Sequence, residues 1–202
     1  MFDLSFLQLL TRAIATIVVL TLMGFCVAGF ARLLGDRGPA YDGKLTLNPF
    51  VHMDIFGLFA GTVGRVGWVR PIAIDPAKGR IGRATPVVVA LLSMAAVFFF
   101  GRLVLLALPW VATSWPTSSA AFTDATIRMM ADVAAWTLAI NIIPVPPLLG
   151  GYLLFTLAPG AHQWLVKRHL YVSIALTVVI VLTYPSLPAT PFGDLARFLG
   201  AR

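Results

Sequence analysis

The chain has 202 residues, of which 59% are hydrophobic and 11% charged, and its mean hydropathy is +0.90. This composition excludes an ordinary soluble domain and is typical of a protein that crosses a membrane several times. The formal net charge of +7 comes from Lys and Arg spread along loops, not along one helix face, which argues against a nucleic-acid-binding protein.

The first apolar segment covers residues 13–31, between Arg12 and Arg32. Its 19 residues carry no charge, which suits a hydrocarbon layer of about 30 Å at about 1.5 Å per residue. Gly24 and Ala28 give the segment a small-residue face for close helix packing. Residues 1–8 contain no basic residue, which predicts that no signal peptide is cleaved here. We therefore predict a first membrane-spanning helix.

Residues 32–85 form a polar loop that is rich in glycine and proline. The loop holds eight Lys and Arg against four Asp, and the positive-inside rule therefore predicts that it is cytoplasmic. Short apolar runs alternate with glycines along its second half. These runs predict short β-type strands or a re-entrant hairpin at the inner face of the membrane.

Three further spans are predicted at about 86–108, 123–143 and 170–183. Arg128 and Asp132, four apart in the third span, are predicted to pair on one helix face. The expected fold is an all-α polytopic membrane protein with about four transmembrane helices, forming a single domain over residues 1–202.

The third predicted span runs into the sequence NIIPVPPLLGG at 141–151. Its prolines cannot continue a helix, and its two glycines allow a sharp turn. Irregular backbone beside a membrane span is tolerated where it is buried in protein or lines a cavity. The stretch predicts either a pocket at this point or a plain interhelical turn.

Several motifs together carry a resemblance to a known family. They read LLGD at 33–36, GKLTLNP at 43–49, HMDIFG at 52–57, GWVRPIAIDP at 67–76 and NIIPVPPLLGG at 141–151. In order, spacing and chemistry they resemble the site-2 protease family (peptidase M50), over about residues 18–159. The resemblance implies an intramembrane zinc metalloprotease fold in which the loop and the Asn141 turn help to hold a substrate strand or helix beside the metal.

The resemblance also implies where zinc ligands would stand, and this sequence departs from the family there. The H-E-x-x-H positions fall on residues 23–27, so that Met23 and Val27 replace the two histidines and Gly24 replaces the general base. Leu149 stands at the aspartate of the L-D-G turn, and the chain has no glutamate at all. The side chains that remain for a rebuilt site are Cys26, His52, Asp54, His162 and His169.

From these departures the sequence predicts a degenerate family member that is not an enzyme, with no cofactor and no metal. The expected role is to bind another integral membrane protein in the bilayer, as an accessory or assembly subunit of a larger complex in a bacterial inner membrane. Two alternatives stay open: a divergent zinc metalloprotease, and a subunit that binds lipid, quinone or pigment. The residues predicted to bind the partner are Gly24, Ala28, Asn48, Pro49, His52, Asp54, Trp68, Arg70, Pro71, Asn141, Pro144, Pro146, Pro147, Gly150 and Gly151.

Overall fold

A computed structural model describes residues 5–201, without the side chain of Ser118. The described residues are helical with no named strand, which confirms the all-α expectation. The α-helices are α1 Phe6–Leu33, α2 Gly38–Tyr41, α3 Pro49–His52, α4 Ile55–Gly64, α5 Thr85–Leu103, α6 Leu108–Ser114, α7 Thr117–Asn141, α8 Gly151–Leu157, α9 Pro159–Lys167, α10 His169–Thr183 and α11 Pro191–Phe198. Short 3-10 turns cover Gly82–Ala84, Val104–Ala107 and Leu187–Ala189.

Three long helices, α1, α5 and α7, pack against one another and form the centre of the fold. The start of α1 is fixed by a capping box, in which the Ser5 hydroxyl accepts from the Gln8 N–H at 3.3 Å and the Gln8 carbonyl oxygen accepts from the Ser5 N–H at 3.0 Å. Between the helices, apolar side chains such as Val19, Val97 and Val133 are fully buried.

Two helices in the described part of the chain are long and apolar enough to cross a membrane: Phe6–Leu33 and the continuous helical stretch Gly82–Ser114. A third is reached if α9 and α10, which bend by 84° at their junction, count as one broken span. The predicted span at 123–143 falls in α7, which is not among them. The reason is that α7 carries Asp124, Arg128 and Asp132, and that its C-terminal half is enclosed by other helices. The predicted count of four is therefore not reached.

The loop after α1 folds back along α1 instead of staying at its end. Asp54 caps α4 by accepting from the N–H groups of Phe56 at 2.8 Å and Gly57 at 3.1 Å. The helix then lies so close to its neighbours that a Cβ at Gly57 would overlap the Trp68 carbonyl and one at Gly61 would overlap Thr16 of α1. This re-entrant path was one of the two predicted forms, and α4 is a helix where β-type strands were the other.

After α4 the chain returns in an extended conformation through residues 66–74. The β character in this loop is limited to one isolated antiparallel bridge, between Met53 and Val69. Downstream, α10 packs against α4, and α11 packs against α7. The single-domain assignment over 1–202 stays a prediction, and residues 1–4 and Arg202 lie outside the described part.

Candidate functional site

Asn141, the last residue of α7, joins the returning loop segment to the proline-rich turn. Its side-chain amide donates to the carbonyl of Gly67 at 2.9 Å and to that of Thr137 at 2.8 Å, and its oxygen accepts from the Leu149 N–H at 3.0 Å. The residue is fully buried. A buried amide with three partners fixes the backbone on both sides of it, because each lost bond would leave an unsatisfied polar group.

The turn after Asn141 is held tightly by its own backbone. The Gly150 N–H donates to the Asn141 carbonyl at 2.7 Å, and the Leu148 N–H donates to Val145 at 2.9 Å. The Pro146–Pro147 bond is cis. A Cβ at Gly150 would overlap the carbonyl oxygens of residues 142 and 143, so no larger residue fits at this point of the turn.

Facing the turn is an extended segment, residues 69–74. The hydroxyl of Tyr152 donates to the Ile72 carbonyl at 2.6 Å, and burial raises the pKa of this tyrosine far above its ordinary value, so that it remains a donor. Ile72 and Ile74 point into the core, whereas Ala73 between them is exposed. Among the described residues, no hydrogen bond involves the N–H groups of Ile72, Ala73 or Ile74.

The segment and the turn are two walls of an apolar groove of about 320 Å³. Its third wall is formed by α8 and α9, where the rings of Phe155 and His162 meet edge to face with their centroids 5.1 Å apart. The lining residues are 69–74, 146–149, Gly151, Tyr152, Phe155, His162, Gln163, Val166 and Lys167. The lining contains two cationic side chains, Arg70 and Lys167, and no acidic one.

The positions that the resemblance gives to metal ligands lie inside the hydrophobic core. Met23 and Val27 are fully buried, Leu149 is 2% exposed, and all three belong to one apolar cluster with Ile72 and Ile74. Among the described residues there is no group of three or more His, Cys, Asp or Glu that could hold a metal ion. The residues present at these positions therefore do not fit a zinc ion.

Gly24, at the position of the missing general base, is occupied by a neighbouring ring instead. A Cβ on Gly24 would overlap the imidazole of His52, which is buried in α3. The His52 Nε2 lies 2.7 Å from the Thr46 carbonyl, and burial lowers the pKa of this histidine. A neutral ring that donates from Nε2 leaves Nδ1 without a partner, and this ring braces the loop against α1.

The residues predicted to bind a partner are divided between the groove and its supports. Those that line the groove are Arg70, Pro71, Pro146, Pro147 and Gly151. Pro49 lines a separate hollow beside α1. The others are the buried residues Gly24, Ala28, His52, Asp54, Trp68 and Asn141, the half-buried Gly150, and the exposed Asn48 and Pro144.

Sequence reasoning missed the third wall of the groove. It treated Tyr152 and Phe155 as an apolar run, and His162 and Lys167 as a rim at the membrane surface. The only available signal was their order after the turn: residues 155, 162 and 166 recur at helical spacing, but the break at Pro159 hides it.

Comparison with known proteins gives one informative likeness. The chain is 25% identical over 196 residues to "Putative zinc metalloprotease YwhC" of Bacillus subtilis (strain 168), covering 95% of this chain and 90% of that protein. No family model matches the chain. No solved structure matches it. The likeness suggests a site-2-protease-like family and, together with the apolar helices, indicates a membrane protein.

The likeness corrects the prediction that the chain is not an enzyme. That prediction was wrong, because a relative similar over nearly its whole length is named as a metalloprotease. Apolar residues at positions 23, 24, 27 and 149 describe those positions only, and they do not decide whether other groups act on a substrate.

Proposed function

We propose that this protein binds an extended polypeptide segment of another integral membrane protein in the groove between residues 69–74 and the turn that follows Asn141. It does so as an accessory or assembly subunit of a membrane complex. The proposed setting is a bacterial inner membrane, with the loop 32–85 on the cytoplasmic side.

The observation that carries this proposal is the unpaired backbone of the extended segment. Main-chain N–H groups at Ile72, Ala73 and Ile74 have no partner among the described residues, although Ile72 and Ile74 themselves are buried. An extended segment with free backbone groups is a template for pairing with another strand. Peptides that add a strand in this way gain affinity from main-chain bonds and specificity from side-chain pockets.

The position of the groove supports a partner that also lies in a membrane. Its wall residues Val69, Ile72 and Leu149 belong to the same apolar cluster as Met23 and Val27 of α1, a helix long enough to span. The groove therefore lies beside the C-terminal half of α1. A partner segment at this depth would follow or precede its own membrane helix.

A direct test uses the purified protein in phosphatidylcholine nanodiscs and a labelled apolar peptide of about six residues, a usual strand length. We expect saturable binding, and we expect that one of two copies N-methylated at odd or at even positions fails to bind. The reason is that alternate residues of a strand point their N–H groups to the same neighbour. Equal binding of the parent and both N-methylated copies would contradict strand pairing.

A matched pair of variants places the binding in the groove. Ala73→Trp puts a large side chain on an exposed position of the wall, and Ala112→Trp does the same on α6, away from the groove. We expect A73W to weaken peptide binding at least about tenfold, equal to about 1.4 kcal/mol, and A112W to leave it unchanged. In mild detergent, A73W should likewise release a stoichiometric membrane partner that A112W retains.

Hydrolysis of a bound peptide is a second candidate function, favoured by the likeness to a protein named as a zinc metalloprotease. Mass spectrometry of the same peptide after incubation with the protein and Zn²⁺ tests it. Cleavage that stops on adding a chelator, and that A73W abolishes, would support hydrolysis at the groove. A peptide that stays bound and intact would count against it.

A further inference from the structure

The groove is apolar along its walls but carries positive charge on its lining. Arg70 lies on the extended segment and Lys167 at the end of α9, and both side chains are exposed. Neither forms an ion pair with any described residue. The nearest acidic residue in sequence, Asp75, is already engaged by Lys78, with 3.7 Å between the charged atoms.

A further donor lies between these two cations in the lining. The Nδ1 atom of His162 is buried and has no hydrogen-bond partner among the described residues. The neighbouring Arg168, by contrast, stacks over the Trp164 ring with its guanidinium carbon 4.4 Å from the centroid, and it does not line the groove. The polar groups left without partners thus collect at the groove, and those with charge are all cationic.

We infer that the groove selects extended segments that carry an acidic side chain next to their apolar residues, with Arg70 and Lys167 as the cations that receive it. This inference rests on the proposed function and gives it a substrate class. Charge complementarity favours a carboxylate on the segment, because the lining offers positive charges without a counter-charge of its own. An extended peptide is favoured over a lipid headgroup, because it alone would also use the free N–H groups of residues 72–74.

The test compares two labelled peptides that differ only in a terminal Asp-Asp or Asn-Asn pair, in phosphatidylcholine nanodiscs. An exposed ion pair contributes up to about 1 kcal/mol, so we expect the acidic peptide to bind about threefold to fivefold more tightly for each cation engaged. Raising the ionic strength from about 0.15 M to about 1 M, which shortens the Debye length from about 8 Å to about 3 Å, should remove most of the difference.

Two control variants separate the groove from general electrostatic attraction. Arg70→Gln and Lys167→Gln should each reduce the preference for Asp-Asp, and the double variant should abolish it. Lys78→Gln removes a positive charge from the same loop, and Arg168→Gln removes one beside Lys167, but neither residue lines the groove. Both controls should keep the preference, and all four positions are exposed enough for the fold to survive.

The outcomes separate this inference from the proposed function. Equal binding of the Asp-Asp and Asn-Asn peptides, or an acidic preference that survives in the R70Q/K167Q double variant, would overturn the inference and leave strand binding standing. Failure of both peptides to bind would remove the proposed function itself. Competition by short-chain phosphatidylglycerol that depends on Arg70 and Lys167 would assign the cations to a lipid headgroup and overturn the peptide assignment.

Discussion

The loop that folds back along α1 carries cations at both of its ends, and the protein uses them in opposite ways. At the far end, Arg65 is ion-paired with Asp132 at 2.7 Å and its guanidinium lies over the Trp136 ring, 5.3 Å from the centroid. At the near end, Arg70 is exposed beside the groove and forms no ion pair with any described residue.

The same contrast holds for the second cation at each end. Arg12 is buried, and its guanidinium donates to the Val63 carbonyl at 2.8 Å and to the Tyr184 hydroxyl at 3.1 Å. Lys167 is exposed on the third wall of the groove. A buried charge must have partners, so the far cations hold the loop to α1, α7 and α10. The near cations are under no such demand, which leaves them available to a ligand.

Breaking the far end should have the largest effect on stability. Asp132→Asn removes the charge that pairs with Arg65 while Arg65 stays mostly buried, which should lower the free energy of unfolding by about 3 kcal/mol. Denaturation by SDS, followed by the helical signal, measures the change. The control is Asp124→Asn, since Asp124 pairs with Arg128 on an exposed face and should contribute less than about 0.5 kcal/mol. Equal losses in the two variants would contradict the structural role of the far end.

The link between the two ends is Asn141, and its removal should be next in size. Asn141→Leu keeps the volume but leaves the Gly67 carbonyl and the Leu149 N–H without partners, at a cost of about 2 kcal/mol. The same SDS titration should show the loss, and peptide binding at the groove should weaken with it. Asn48→Ala, which removes an exposed helix cap, should lose about 1 kcal/mol and keep the groove intact. An N141L protein with unchanged stability would show that the amide does not hold the two walls.

The packing of the loop on α1 gives a third and smaller effect, with a control of opposite sign. Gly24→Ala would push a Cβ into the His52 ring and should destabilise the protein by about 1–2 kcal/mol. Gly29→Ala lies in the same helix, but its Cβ would meet only Leu45 at an ordinary 3.7 Å. That change should be neutral or should stabilise the helix by up to about 1 kcal/mol. Destabilisation of equal size in both variants would point to the helix itself and not to the His52 contact.

Sequence reasoning located what depends on local chemistry. The first span at 13–31 lies within α1, and the prolines and glycines at 144–151 form the predicted turn beside a groove, because these residue types restrict the backbone wherever they stand. It was less successful with α4: four glycines between apolar residues also suit a strand or a turn, and only contact with α1 and α10 selects the helix.

Long-range pairing was beyond the sequence. Asp132 was predicted to pair with Arg128, four residues away, but Arg128 pairs with Asp124 at the equivalent spacing on its other side. Asp132 pairs instead with Arg65 in the re-entrant loop, a contact that only the path of the loop can create. The groove was incomplete for the same reason, since α9 reaches it by a bend of 84° that no local pattern specifies.

The near end should show the smallest change in stability and a clear change in binding. Arg70→Gln alters an exposed side chain whose backbone N–H still donates to the His52 carbonyl at 2.8 Å, so the free energy of unfolding should change by less than about 0.5 kcal/mol. Arg65→Gln, at the far end, should lose several times more through its buried pairing with Asp132. Binding of the acidic peptide should respond in the reverse order at a temperature where both variants stay folded, since Arg70 lines the groove and Arg65 does not. If Arg70→Gln instead destabilised the protein as much as Arg65→Gln does, both ends of the loop would be structural, and the contrast between them would fail.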